Sequence, residues 1–324
     1  MLLSVVLVGC TSKSKNDIYK DIIKKYENLE SYELKGILQM INNESTYEYD
    51  VTSMYKKDNN FKVELINKTN NHRQIILRNN DGVFVVTPSL NKSFKFQTEW
   101  PYNNSQIYLI QSIMEDIKND NNRKITKGKD STIIESSVNY INNRNLQKQK
   151  VTFSKKNIIK SVEVYNDQNI VQIKIIFKKI NLNKKIENDI FLLDKNISLE
   201  TDEELQITNK IDDVIYPMYL PTNVTLNEQN KFSIDNGERI ILTFKNNEDQ
   251  SFTFIQETSK SNDNNKVISL DGNIEHISDV IGVVNDNYIY WNNNGIDYYL
   301  SSSNIESEEL IKVAKSVNSM TVIK

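Results

Sequence analysis

The chain has 324 residues, with 40 basic and 43 acidic side chains and one cysteine. That near balance gives nucleic-acid binding no electrostatic footing, and a single thiol excludes an internal disulfide or a cysteine-rich metal site. The length suits two domains, and 16 tyrosines and 11 phenylalanines beside many isoleucines and valines favour strands.

Residues 1–10 read as a lipoprotein signal peptide. Leu2 to Val8 are almost wholly apolar, and Leu7-Val8-Gly9-Cys10 fits the bacterial lipobox. Small Gly9 suits the peptidase pocket at the cleavage site, and Cys10 is the expected lipidation site, carrying a covalent lipid as the only added group. The apolar run is short and no Lys or Arg precedes it, so a translation start further upstream is expected. Two acyl chains on Cys10 suffice for stable attachment to a membrane. Polar residues 11–16 then form a tether.

A first domain is expected over residues 17–195. It opens with an amphipathic helix, in which Ile18, Ile22, Tyr26 and Leu29 recur at helical spacing behind an Asn16-Asp17 cap. Alternating strands follow at Tyr47–Val51, Phe61–Leu65, Ile75–Leu77 and Val83–Val86, with Asn79-Asn80-Asp81-Gly82 as a hairpin turn. Phe94 and Phe96 alternate next, and Trp100-Pro101 breaks the pattern. A second helix is predicted from Asn104 to Asp120, with Ile107, Ile110, Ile113, Met114 and Ile117 as its apolar stripe. Strands resume at Thr132–Tyr140, Leu146–Phe153, Ile158–Tyr165 and Ile170–Phe177, with a last strand at Asp189–Leu193. Residues 196–212 are polar and acidic and serve as the linker. A smaller α+β domain over 213–324 is predicted from strands at Arg239–Phe244, Ser251–Gln256, Ile281–Val284, Tyr288–Trp291 and Ile296–Leu300. A closing helix is capped by Ser307.

Enzyme signatures are absent: there is no G-x-S-x-G elbow, H-E-x-x-H helix, Walker loop or G-x-G-x-x-G. No catalytic or metal residues are assigned. His72 reads as a surface residue in a polar loop, and His276 falls in the other domain. Asp212-Asp213 and Glu308-Glu309 read as solvated linker and helix start. Phe94, Phe96, Trp100, Tyr102, Ile110 and Met114 are candidates for lining an apolar cavity that would take an acyl chain.

The order of helix, long meander, central helix and further meander resembles the LolA/LppX/RseB-like group of lipoprotein-binding folds. The residues carrying the likeness are Tyr32-Glu33-Leu34-Lys35-Gly36, Asp81 to Pro88, Lys92 to Phe96, and Trp100-Pro101 with the helix beyond. More narrowly the chain looks like sporulation and germination lipoproteins of the YdcC/GerS type. Tyr219-Leu220-Pro221, Glu238 to Phe244, Ser251 to Gln256 and Trp291 to Leu300 resemble a domain often attached to them. The resemblance implies an α+β, mainly antiparallel fold: an unclosed eleven-stranded β-barrel covered by helices, plus the smaller C-terminal domain. It implies no enzymatic activity. Its expected role is a lipid-anchored protein on the extracytoplasmic face of the cell membrane, or between the forespore membranes. There it would bind an envelope or cell-wall protein, such as an amidase, in sporulation or germination. The alternatives are a lipid or lipoprotein carrier using an apolar cavity, and an RseB-like envelope sensor.

Overall fold

The computed structural model describes residues 13–41, 45–197, 210–235, 237–248, 250–259 and 267–317. Gly9, Cys10 and most of the expected linker lie outside the described residues. Helix α1 spans Lys15–Glu27 and buries Ile18, Ile22 and Tyr26. Its cap is Ser14, upstream of the expected Asn16-Asp17. The Ser14 hydroxyl accepts from the Asp17 amide at 3.1 Å, and the Asp17 carboxylate accepts from the Ser14 amide at 3.2 Å. Such a reciprocal box satisfies two orphan amides at once. Ser14→Ala is expected to cost about 1 kcal/mol, read as faster hydrogen exchange of the first-turn amides of α1. Unchanged exchange there would show that the cap contributes nothing.

The strands β1 (Ser31–Ile41), β2 (Thr46–Lys56), β3 (Asn60–Asn67), β4 (Arg73–Asn79), β5 (Gly82–Thr87) and β6 (Lys92–Gln97) form an antiparallel meander. Gly82, at φ +136°, closes the hairpin between β4 and β5 as its Asp-Gly sequence predicts. After helix α2 (Ile110–Asn119) come β7 (Lys124–Lys127), β8 (Ser131–Ser137), β9 (Leu146–Ser154), β10 (Ile159–Asn166) and β11 (Val171–Leu182). The long β11 returns to pair with β1, giving the order β6-β5-β4-β3-β2-β1-β11-β10-β9-β8-β7. With β6 and β7 at opposite ends of that order, the eleven strands make an open sheet, not a closed barrel. Helices α1 and α2 cover one face, and their apolar stripes join Tyr32, Leu34, Val63, Val151 and Phe153 in one core.

Two expectations are corrected. The second helix begins at Ile110, not Asn104, because Ser105 is held to another segment. Its amide donates to Asn139 O at 2.8 Å, and its hydroxyl accepts from the Asn139 amide at 2.7 Å. The strand expected at 189–193 is instead a 3-10 turn (188–191) followed by the short helix α3 (Leu193–Ile197). Phe191 and Ile197 pack onto Ile75, Leu77, Phe84 and Val86, on the sheet face away from α2. Strands β4 and β5 are therefore covered on both sides, which explains their unbroken apolar runs.

The second unit contains β12 (Thr225–Ile234), β13 (Gly237–Lys245), β14 (Ser251–Thr258), β16 (Asn273–Ile277), β17 (Val280–Val284), β18 (Tyr288–Asn293) and β19 (Ile296–Ser301). They form a separate antiparallel sheet in the order β12-β13-β14-β19-β18-β17-β16. Asn294 and Gly295, both at positive φ, make the tight turn between β18 and β19. Helix α4 (Ser307–Lys315) buries Leu310, Ile311, Val313 and Ala314 against this sheet, with Glu306 rather than Ser307 at the cap position. Strand β15 (Val267–Asp271) leaves the second sheet and pairs in parallel with β6, from Val267 opposite Ser93 to Asp271 opposite Gln97.

Candidate functional site

The units are fastened along β6 and β4. Lys92 Nζ meets Asp297 Oδ2 at 2.7 Å, and both side chains are buried. Tyr290 and Asn292 donate to the other carboxylate oxygen at 2.8 and 2.7 Å. Gln74 imitates a strand: its amide donates to Ile281 O at 3.1 Å and accepts from Ile281 N at 2.6 Å. Phe94 packs on Tyr290 with ring centroids 4.8 Å apart. Ile274, Ile281, Val283 and Tyr290 of the second unit thereby enter the first unit's core.

At one end of this seam lies a half-open cavity of about 220 Å³. The ends of β1 and β2 supply Met40, Ile41 and Tyr47. The segment before α2 supplies Asn104, Gln106 and Tyr108. Tyr140, Asn143, Leu146, Gln172 and Ile173 complete the first unit's side, and Ile274, Glu275, His276, Ser278 and Lys315 come from the second. Glu275 and Lys315 pair at 3.2 Å. His276 sits edge-on to Tyr49 and Tyr108, each with ring centroids 6.4 Å away, and burial lowers its pKa to about 4. Burial likewise pushes the Tyr108 and Tyr140 hydroxyls well above their ordinary range. Behind the wall, burial raises Asp116 to about 7, although Ser105 Oγ donates to it at 2.9 Å. The groups on the wall are thus neutral or paired near pH 7, an arrangement suited to holding a ligand.

A second exposed feature lies on the C-terminal unit. Met218 is 82% exposed, with Tyr216 at 43% and Tyr219 at 38%. Their segment is nevertheless fixed. Tyr216 Oη donates to Gln229 at 2.6 Å, the Met218 amide to Ser316 O at 3.3 Å, and the Tyr219 amide to Ser316 Oγ at 2.9 Å. Tyr219 Oη reaches Glu309 at 2.5 Å. This is an apolar ridge held out to solvent.

The six residues expected to line a cavity do not line this one. Phe94, Phe96, Trp100, Ile110 and Met114 are buried in packed core. Trp100 stands edge-on to Phe61 at 6.0 Å, and Phe94 and Phe96 border a void of only about 10 Å³, no more than one water needs. Tyr102 is exposed, with its hydroxyl donating to Asn59 at 2.6 Å. The side chains fill the concave face themselves, and the open space lies where the second unit meets the first. His72 is also corrected: it is buried, its ring nitrogens have no hydrogen-bond partner, and desolvation lowers its pKa to about 4. Neighbouring Asn67 bonds both the His72 carbonyl (3.0 Å) and, at 3.5 Å, Asp279 of the second unit, which closes this loop off. Glu308 is half exposed beside Arg144 at 3.3 Å, as a solvated helix start should be.

The family described as "Sporulation protein YdcC-like" matches residues 1–191, and a domain of unknown function, DUF4367, matches residues 214–317. Sporulation protein YdcC of Bacillus subtilis (strain 168) is 33% identical over 320 residues, covering 98% of this chain and 94% of the relative. Among solved structures, a chain of the Pseudomonas aeruginosa MucA/MucB complex superposes with a TM-score of 0.33 at 8% identity, covering 93% of this chain and 97% of that one. A chain of the CwlD amidase from Clostridioides difficile in complex with the GerS lipoprotein gives 0.32 at 18%, covering 52% and 95%. The LolA superfamily protein NE2245 from Nitrosomonas europaea gives 0.32 at 12%, covering 55% and 98%. At such TM-scores the superpositions carry no argument about function.

Proposed function

This chain belongs to the YdcC-like family of sporulation proteins, and from that membership we propose that it is a membrane-anchored, non-enzymatic lipoprotein that binds an envelope or cell-wall partner protein during sporulation. The observation that carries the binding reading is the ridge of Tyr216, Met218 and Tyr219. Large apolar side chains exposed side by side are characteristic of protein contact sites. Here their backbone and hydroxyls are already fixed to α4 and β12, so little conformational entropy is lost when a partner covers them. The anchor rests on the lipobox ending at Cys10.

Three changes in the native gene test the parts separately. Cys10→Ala is expected to abolish palmitate labelling and release the protein from membranes. Persistent labelling would remove the anchor. A photo-crosslinking residue at Met218 is expected to trap one discrete envelope protein in sporulating cells. The double variant Tyr216→Asp/Met218→Asp should stay folded and lower spore yield by about tenfold, since losing one hot-spot contact costs more than 1 kcal/mol. No adduct together with full spore yield would sink the partner reading.

A further inference from the structure

We propose that the seam cavity binds one neutral saccharide unit of the N-acetylated hexosamine class. Its space, about 220 Å³, equals roughly seven waters. That suits a single sugar ring and falls below the ~300 Å³ at which sites for larger ligands begin.

Charge narrows the choice. The ionic groups on the wall are Glu275 and Lys315, and they neutralise each other at 3.2 Å. His276 adds no charge near neutral pH, because burial holds its imidazole unprotonated. A phosphate or carboxylate headgroup would have to displace Glu275 from Lys315, leaving a carboxylate that is only 12% exposed without its partner. The wall therefore favours an uncharged ligand.

The polar groups narrow it further. Asn104 is nine-tenths buried and its Oδ1 has no hydrogen-bond partner; Nδ1 of His276 has none either. Buried polar atoms in native proteins are nearly always satisfied; both of these are covered by protein, and a turn of either side chain toward the cavity would let a polar guest satisfy it. A purely aliphatic guest would leave them unpaired, at the full desolvation cost of each. Gln106, Asn143 and Gln172 bring further amides, and each amide both donates and accepts, as adjacent hydroxyl and acetamido groups require. Tyr47, Tyr108, Tyr140 and Ile173, also on the lining, bring apolar surface for the C–H face of a pyranose. One ring face dry and one edge polar is the pattern that such a sugar presents.

The test uses the full chain carrying Cys10→Ala, with three probes: N,N′-diacetylchitobiose, octanoate and N-acetylleucinamide. Saturation-transfer NMR and calorimetry are expected to show millimolar binding of the disaccharide, strongest at one N-acetyl ring, and weaker binding of the other two. Asn104→Leu should weaken the disaccharide about tenfold by leaving its bonding group unmatched. Gln172→Trp, at a half-buried position where folding is tolerant, should abolish binding by filling the space. Preference for octanoate would make this an acyl site, and preference for the leucine amide would make it a peptide site; either overturns the proposal. So does disaccharide binding that survives Gln172→Trp. Failure of the Met218 crosslink would leave these readouts unchanged, so the two proposals stand or fall separately.

Discussion

Replacing Lys92 by methionine is expected to lower the unfolding free energy by about 3–5 kcal/mol, the cost of leaving a buried charge without its partner. Asp297 is 9% exposed, and Lys92 is the cation on it at 2.7 Å. Tyr290 and Asn292 would still donate to the carboxylate, but neutral donors do not replace a full charge. Because Lys92 is on β6 and Asp297 on β19, the loss falls on the joint between the units. The urea midpoint should drop, and amides of β15, which pairs with β6, should exchange sooner than those of β14. Lys92→Met/Asp297→Asn should recover most of the loss, because a neutral pair is far cheaper to bury than a lone carboxylate. A single variant as stable as the parent would mean that the pair is hydrated and that the joint rests on apolar contacts alone.

Acidification from pH 7 to 4 is expected to lower the stability of an Asp116→Asn variant, which starts the more stable of the two at pH 7, far more steeply than that of the parent. His72 and His276 have folded pKa values of about 4 against 6.5 for the free side chain. The unfolded chain therefore takes up protons at both as the pH falls through 6.5, while the folded chain does not. Stability falls across that window, by about 5 kcal/mol for the two together. Asp116 works the other way. Its folded pKa of about 7 stands above the ordinary 3.8, so the stability from its protonated form is complete below 3.8 and is lost as the pH rises through 7. On acidification it returns about 3 kcal/mol, after allowance for its half-buried position. The parent should thus show a shallow acid decline in urea midpoint and Asp116→Asn a steep one. A His72→Gln/His276→Gln variant should become more stable toward pH 4. Superimposable pH curves for all three proteins would contradict these assignments.

Much of the architecture was legible because its strands have one dry face. Alternation in Phe61-Lys62-Val63-Glu64-Leu65 reports a buried side every second residue, and the structure buries those three apolar positions. Strand β12 escaped notice because nearly all its residues are exposed, so no alternation marks it. Strand β15 is short and is held by β6 of the other unit, a pairing that no local pattern encodes. The cavity was hidden for a related reason. Its wall joins Met40, Asn104, Tyr140, Gln172, His276 and Lys315, which are far apart in the chain and share no motif. The aromatic run from Phe94 to Tyr102 advertised burial, and Phe94, Phe96 and Trp100 are indeed buried, as are Ile110 and Met114 on α2, while Tyr102 is exposed. Hydrophobicity alone does not distinguish a packed interior from a vacant one. His72 was misplaced because polar neighbours suggest solvent, whereas Asp279, over two hundred residues later, helps to seal it.

The reciprocal cap at Ser14 begins only four residues after Cys10. Four extended residues reach at most about 14 Å, less than the radius of gyration of roughly 20 Å expected for a chain of this length. Were Cys10 acylated, the body would be moored on a leash shorter than itself, unable to roll freely over the bilayer. The shore-facing flank would be the start of α1 and strand β7, where Lys13, Lys15, Arg123, Lys124 and Lys127 gather, and anionic headgroups would draw that flank down. Such mooring would fix which way the rest of the molecule looks out from the bilayer.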